Sequence, residues 1–363
     1  MKVLFDLGHP AHYHLVKHVA QKLSDSGIEI HFSIQKKDVL EELIKETSFG
    51  YKNILPNGRK PSKYGLVKSF ITRFVNLLLY TLKIKPQLLV GTSAEISYIG
   101  KLLNIPSFNL CEDDAKIVPL HSNMAYPLAT EILTPISCDN GRWNKKSIKY
   151  DSYQKLAYLH PNYFSPNEHI LRKYNINRPY SLIRFSKLSA HHDYGIKGID
   201  EPLAIQIINI LLAYGSVYLS SEKVITKNLD QYRLSIDPRD IHHILYFAKI
   251  LISDSQSMTV EAAVLGTPSI RFSSFAGKIG VLEELEHKYE LTYGIKPEEP
   301  EKLLNMLIEL LNIKNIEDIF KSRRQKMLAD KIDVTSFFVW MIQNYPNSKL
   351  EIKNNPEIQY HFK

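Results

Sequence analysis

KILISDSQSMTVEAAVLGTPSIRF, residues 249–272, carries the pattern that decides the fold. An apolar run ends at Ser253-Asp254, a Ser255-Gln256-Ser257 turn follows, and an alanine-rich helix starts near Met258. Gly266-Thr267-Pro268 stops that helix, and a second apolar strand begins. The N–H groups at the start of such a helix, together with its dipole, favour an anion. The hydroxyls of Ser255 and Ser257, flanking Gln256, can add hydrogen bonds to phosphate oxygens. Glu261 stands one turn further on among Val260, Ala262, Ala263, Val264 and Leu265, where its carboxylate can accept two hydrogen bonds from a ribose diol. The same residues also allow a plainer reading, in which Ser255 or Ser257 only caps the helix and Glu261 only favours its start. The joint spacing of Glu261, Gly266 and Pro268 favours nucleotide binding.

Working outward, short apolar runs alternate with helical periodicity on both sides of this segment. Strands are expected at 2–7, 28–34, 87–91, 105–110, 131–135, 180–186, 216–221 and 268–273, with helices between them. Residues 139–180, rich in Asn, Pro, Tyr and Lys, break the order and read as an interdomain crossover. The pattern predicts an α/β chain of two Rossmann-like, doubly wound parallel sheets facing a central cleft. One domain would span 1–160, and a second, carrying the 249–272 segment, 161–335. A C-terminal helix and tail, 336–363, would cross back toward the first.

Composition narrows the class. The chain has 363 residues, 44% of them hydrophobic, and a formal charge of +8. That excludes a disordered chain and a disulfide-stapled miniprotein. No long apolar run escapes charged residues, so no membrane span is expected, and MKVLFDLGHPAH does not read as a signal peptide. Two isolated cysteines, Cys111 and Cys138, suit a reducing compartment. A cytoplasmic protein is expected.

A second motif lies at the amino terminus, Asp6-Leu7-Gly8-His9-Pro10-Ala11-His12-Tyr13-His14. Gly8 is expected to let the chain turn sharply after the first strand. His9, His12 and His14 then crowd the mouth of the first helix. A histidine titrating near neutrality suits proton removal from a hydroxyl, and a helix-capping or substrate-binding role for His12 stays open. Glu112, Asp113 and Asp114 follow the strand at 105–110 and would face the crevice, to orient His12, bind hydroxyls or act as base. His14 and His18 have zinc-pair spacing, but no HExxH pattern supports a metal. With no Asp-x-Asp anywhere, chemistry without a bound metal or cofactor is expected.

The segment D-S-x5-E-A-x-x-L-G-x-P, from Asp254 through Glu261 to Pro268, resembles the donor-nucleotide segment of GT-B glycosyltransferases and of non-hydrolysing UDP-N-acetylglucosamine 2-epimerases. The resemblance implies that the turn holds a diphosphate and Glu261 the ribose. Where those relatives often have glycines, this chain has Gln256 and Ser257. The opening also resembles that of the peptidoglycan N-acetylglucosaminyltransferase, which puts His12 at the general-base position of many inverting GT-B enzymes. With KYGLVKSF, YQKLAYL, IRFSKLSAHHD and FAGKIGVLEELEHKY, nearly the whole chain resembles a bacterial and archaeal family of GT-B-like predicted glycosyltransferases. In such enzymes the loop after the first donor-domain strand contacts phosphate, which implies Arg184, Ser186 and Lys187 here. Lys278 would touch the donor sugar or phosphate.

Charge patterning adds a partner. No Asp or Glu occurs between Glu46 and Glu95, while residues 52–85 interleave lysines and arginines with leucine, valine and aromatics. Such a segment can lie on an anionic membrane surface, although a core helix with a solvated basic rim would show the same residues. The absence of a P-loop, GxGxxG, GxSxG, zinc-finger or RRM pattern leaves ATP, NAD, triad hydrolysis and nucleic acid without support.

The expectation is therefore a metal-independent, inverting glycosyltransferase of cell-surface polysaccharide assembly, at the inner membrane face. It would move a sugar from a nucleotide-sugar donor, UDP-linked by preference, to a glycan or polyprenyl-phosphate-linked acceptor. A 2-epimerase and a non-catalytic nucleotide-sugar-binding protein are the alternatives.

Overall fold

In a computed structural model, which describes residues 1–59, 62–186, 198–222 and 225–363, the chain forms two compact units. Residues 1–158 and 331–363 make one, and residues 159–330 the other. The first unit runs β1 (Lys2–Leu7), α1 (Pro10–Asp25), β2 (Glu29–Gln35), α2 (Leu40–Lys45), β3 (Gly50–Leu55), α3 (Lys63–Ile84), β4 (Leu88–Gly91), α4 (Ala94–Leu103), β5 (Ser107–Leu110), α5 (Pro119–Ala125), β6 (Glu131–Pro135), β7 (Ser147–Tyr150) and α6 (Leu156–Leu159). The second holds α7 (His169–Lys173), β8 (Tyr180–Phe185), α8 (Glu201–Leu212), β9 (Ser216–Ser221), α9 (Lys227–Asp230), α10 (Ile241–Phe247), β10 (Leu251–Ser253), α11 (Gln256–Leu265), β11 (Ser269–Phe272), α12 (Gly280–His287), β12 (Tyr293–Ile295), α13 (Pro300–Asn312) and α14 (Ile316–Asp330). Helices α15 (Val334–Gln343) and α16 (Asn347–Asn354) return to the first unit.

Each unit is built on one parallel sheet. The first has seven strands, ordered β3-β2-β1-β4-β5-β6-β7, and the second five, ordered β12-β11-β10-β8-β9. The two parallel α/β sheets are the architecture that the strand–helix alternation predicts. Central strands such as β4 and β10 are buried along their whole length, as a sheet covered by helices on both faces requires.

Local chemistry fixes the elements around the strand ends. Helix α1 starts at Pro10, with the His9 Nδ1 accepting the Ala11 N–H at 3.1 Å as its cap. Helix α11 is capped by Ser255 and ends at Gly266, whose φ of 79° puts it in the left-handed region. Gly8 departs from expectation: it is not among the positive-φ residues, so the turn after β1 needs no glycine-only backbone. Gly91 is the position that requires glycine. A Cβ there would lie 2.6 Å from the Asp6 carbonyl oxygen on the paired strand.

Among the described residues, one helix, at Tyr64–Ile84 within α3, is long and apolar enough to cross a membrane by length and composition. Its inner face nevertheless packs on the first sheet through Leu77, Tyr80 and Ile84.

Candidate functional site

The carboxyl ends of the first sheet gather a polar cluster around α1. The His12 Nδ1 accepts the Gly8 N–H at 3.1 Å, and Thr92 Oγ1 lies 2.8 Å from the same nitrogen and 3.2 Å from Nε2. Thr92, just past β4, therefore holds the ring, a role for which the sequence offers Glu112, Asp113 or Asp114. The Gly8 hydrogen bond assigns the proton to Nε2. Burial lowers the His12 pKa well below the usual histidine range, and the charges of His9, Arg73, Lys155 and His121 push it the same way. The imidazole is neutral at neutral pH, and an incoming anion would raise its basicity.

Glu112 is held elsewhere. Its Oε1 accepts the Gln154 N–H at 2.5 Å, and its Oε2 lies 3.4 Å from the Lys155 ammonium. Burial raises its pKa, opposed by Lys155. Asp113 is half-buried, and its carbonyl accepts from the Cys111 thiol at 3.6 Å. Asp114 accepts the Asp139 N–H at 2.6 Å. His9 is committed to capping, and His14 packs its ring 5.4 Å from that of Tyr158.

Beneath this mouth lies a buried ion network that sequence reasoning did not find. Arg73 of α3 pairs with Asp6 at the end of β1 and, at 3.0 Å, with Glu95 of α4. Ser33 and Ser93 complete Asp6 at 2.8 and 2.5 Å. All three charged groups are essentially inaccessible to water. His121 of α5 joins from the side, 3.2 Å from Asn109, with burial lowering its pKa to about 4.

The second sheet presents its own cluster where β8 and β10 end side by side, with Arg184 in register with Ser253. Asp254 accepts the Ser186 N–H at 2.6 Å, tying the two strand ends together. Arg184 donates to Ser220 at 2.7 Å and pairs with Glu222, while its Nε and the buried Ser186 hydroxyl have no hydrogen-bond partner. Lys187 lies outside the described residues. Ser255 caps α11 by accepting the Met258 N–H at 3.4 Å, and Ser257 is exposed on the first turn. Gln256 turns inward: its Nε2 donates to Ser273 at 2.7 Å, and its Oε1 accepts from Arg271 at 2.6 Å. Glu261 is half-buried with Oε1 3.5 Å from Nε2 of His242, a residue of α10 that no motif marked. Lys278 is exposed on the turn after β11.

Arg271 is 1% exposed, and burial lowers its pKa to about 10, so it stays charged at neutral pH. Its Nε and Nη2 have no hydrogen-bond partner, and Nη2 stands 3.9 Å from Glu283. Glu283, Glu286 and His287 could converge on a metal ion. Two of them already accept backbone N–H groups, of Gly277 at 3.0 Å and Gly294 at 2.9 Å. With a guanidinium alongside, they fit the balancing of Arg271 better than a cation.

The chain belongs to the family described as "Protein of unknown function (DUF354)", whose model matches residues 1–345. No curated protein matches its sequence. Solved structures share the fold at low identity. The glycotransferase of kitacinnamycin is 12% identical with a TM-score of 0.62, covering 94% of this chain and 98% of its own. The UDP-GlcNAc 2-epimerase of Methanocaldococcus jannaschii, in complex with UDP-GlcNAc and UDP, is 13% identical with a TM-score of 0.63, covering 90% and 99%. The SsfS6 glycosyltransferase of Streptomyces sp. SF2575 is 11% identical with a TM-score of 0.60, covering 95% and 100%. The chain thus has the fold of GT-B glycosyltransferases and of UDP-GlcNAc 2-epimerases.

Proposed function

We propose that the protein is a glycosyltransferase that takes a nucleotide sugar, UDP-linked by preference, as donor. The observation that carries this reading is the donor-side constellation of the second unit. A ten-residue helix opens at the end of β10, Arg184 and Ser186 stand on the adjoining strand end, and Glu261 lies one turn into the helix. A diphosphate would meet the first-turn amides of α11 and the guanidinium of Arg184, while Glu261, with His242 behind it, would hold the ribose diol. The same groups stabilise the charge that develops on the departing nucleoside diphosphate. In the first unit, His12 would take the proton of an acceptor hydroxyl at Nδ1 once the Gly8 N–H releases that lone pair, with Thr92 fixing its ring and the Glu112–Lys155 pair lining the mouth. The chemistry needs no resident metal or cofactor on this reading. The acceptor would be a glycan or a polyprenyl-phosphate-linked sugar of cell-surface polysaccharide assembly, met at the cytoplasmic face of the membrane, with inversion at the anomeric carbon.

Thermal-shift screening of the full chain against UDP, GDP and their sugars tests the donor assignment. Saturation at about 100 times Kd adds ~2.7 kcal/mol to stability. The Glu261→Gln variant is expected to weaken UDP about tenfold, or ~1.4 kcal/mol. Unchanged affinity in that variant would remove the ribose role. A second reading, a sugar-nucleotide 2-epimerase, is supported by the equal likeness to epimerase structures. Incubation with UDP-GlcNAc and no acceptor separates the two, because epimer formation favours this second reading.

A further inference from the structure

Helix α3 has two apolar faces, and only the inner one is covered. Ser69, Arg73, Leu77, Tyr80 and Ile84 turn into the lobe and are buried. On the opposite side Tyr64, Val67, Ile71, Val75, Leu79 and Leu82 recur every three or four residues. At about 100° per residue they form one stripe. Their exposure runs from 44% at Val75 to 78% at Tyr64. Single exposed apolar residues are ordinary, but six aligned along one helix are a surface with a purpose. At its far end the stripe runs into a groove of about 220 Å³ lined by Leu82, Leu103 and Ile105.

The charge around the stripe selects its partner. Lys68 lies within it, Lys83 and Lys85 close its end, and all three are exposed. The Lys52 ammonium reaches over Tyr80, 5.8 Å from the ring centroid. No acidic residue occurs from 47 to 94. A second copy docked symmetrically on this face would oppose lysine to lysine with no carboxylate of α3 between them. An apolar stripe whose charged neighbours on the helix, among the described residues, are cations matches the anionic headgroups and acyl boundary of a bilayer.

We propose that this face of α3 is the surface by which the protein lies on an anionic lipid bilayer, with the helix in the interfacial plane. Crossing the membrane is excluded while the lobe is folded, because the inner face of the same helix holds Arg73 between Asp6 and Glu95. Presenting a lipid-borne acceptor to the transfer site rests on the proposed reaction, whereas the docking itself does not.

The test is flotation of the full chain with vesicles of phosphatidylcholine alone or with about 30 mol% phosphatidylglycerol, at ~0.1 M salt. Anionic vesicles should bind at least about tenfold more protein, and the excess should fall at high salt. The V67N/I71N/L79N variant should lose that excess while keeping its melting temperature and its response to UDP. Leu212→Asn, at an exposed leucine of α8 in the other unit, should bind as the parent does. Equal binding to neutral and anionic vesicles, or full binding by the triple variant, would overturn the proposal. So would a parent that is dimeric in sedimentation and made monomeric by the triple variant, without vesicle binding. UDP stabilisation, read on the same samples, fails independently if the donor assignment is wrong.

Discussion

In the amino-terminal unit, Arg73 places its two terminal nitrogens on two buried carboxylates, Asp6 and Glu95. In the carboxy-terminal unit the equally buried Arg271 hydrogen-bonds a neutral amide, Gln256, and its closest ion-pair carboxylate stands 3.9 Å away. Both units carry strand–turn–helix corners, and both bury a guanidinium near one. The first arrangement sets one cation between two carboxylates and acts as a lock between β1, α3 and α4. The second retains donor groups without partners, at Arg271 and at Arg184, beside a helix N-terminus. An anion could complete the second; in the first the Arg73 Nε also lacks a partner, but two carboxylates already flank that guanidinium and would oppose an anion there. That contrast supports the proposal that a donor would bind in the carboxy-terminal unit.

The comparison breaks most readily at its two arginines. Arg73→Met leaves two buried carboxylates without their cation, and urea unfolding should show a loss of ~3–5 kcal/mol. Arg271→Met should cost clearly less, since its hydrogen-bond acceptor is uncharged and the carboxylates that balance it, Glu283 and Glu286, are only partly buried. Equal stability losses would remove the distinction between lock and receptor.

Acid sharpens the comparison next. Histidines His12, His18 and His121 of the amino-terminal unit have lowered pKa values, His18 and His121 at about 4, chiefly through burial. Between pH 4 and the usual histidine range the unfolded chain binds the extra protons. Stability is therefore complete above about pH 6.5 and lost as pH falls toward 4. His121 alone accounts for ~3 kcal/mol at most. Urea midpoints at pH 7.5 and 5 should fall further for the amino-terminal unit, and His121→Gln should flatten that dependence.

The smallest effect probes the helix cap. Ser255→Ala removes the acceptor for the Met258 N–H and should cost ~1 kcal/mol in thermal unfolding. If Ser255 only caps, UDP affinity stays at the parent value; if its hydroxyl also meets phosphate, affinity falls with stability.

Some of this was readable along the chain and some was not. The central strands β1, β4, β8 and β10 read as apolar runs because helices cover both their faces. Three of the four edge strands, β3 (GYKNIL), β7 (SIKY) and β12 (YGI), did not, being polar or only three to four residues long, whereas the edge strand β9 (SVYLSS) did. Helical periodicity alone would carry residues 315–345 as one stretch. The chain instead breaks there, with Asp333 capping α15 through the Ser336 N–H at 3.1 Å. Cap chemistry of that kind was legible but was outweighed by periodicity. On the candidate site, the motif residues His12, Ser255 and Glu261 stood out by spacing. Their companions Thr92, His121 and His242 did not, since each is an isolated residue on another element.

The sequence by itself determined the alternation of strand and helix, the start and stop of α11 and the depletion of acid around α3, because periodicity, capping and local charge are properties of neighbouring residues. Only the tertiary structure decided that Arg73 meets Asp6 across 67 positions and Glu95 across 22, and which flank of α3 is left uncovered. Those outcomes depend on which strands lie side by side in the sheet, and strand order is not a local quantity.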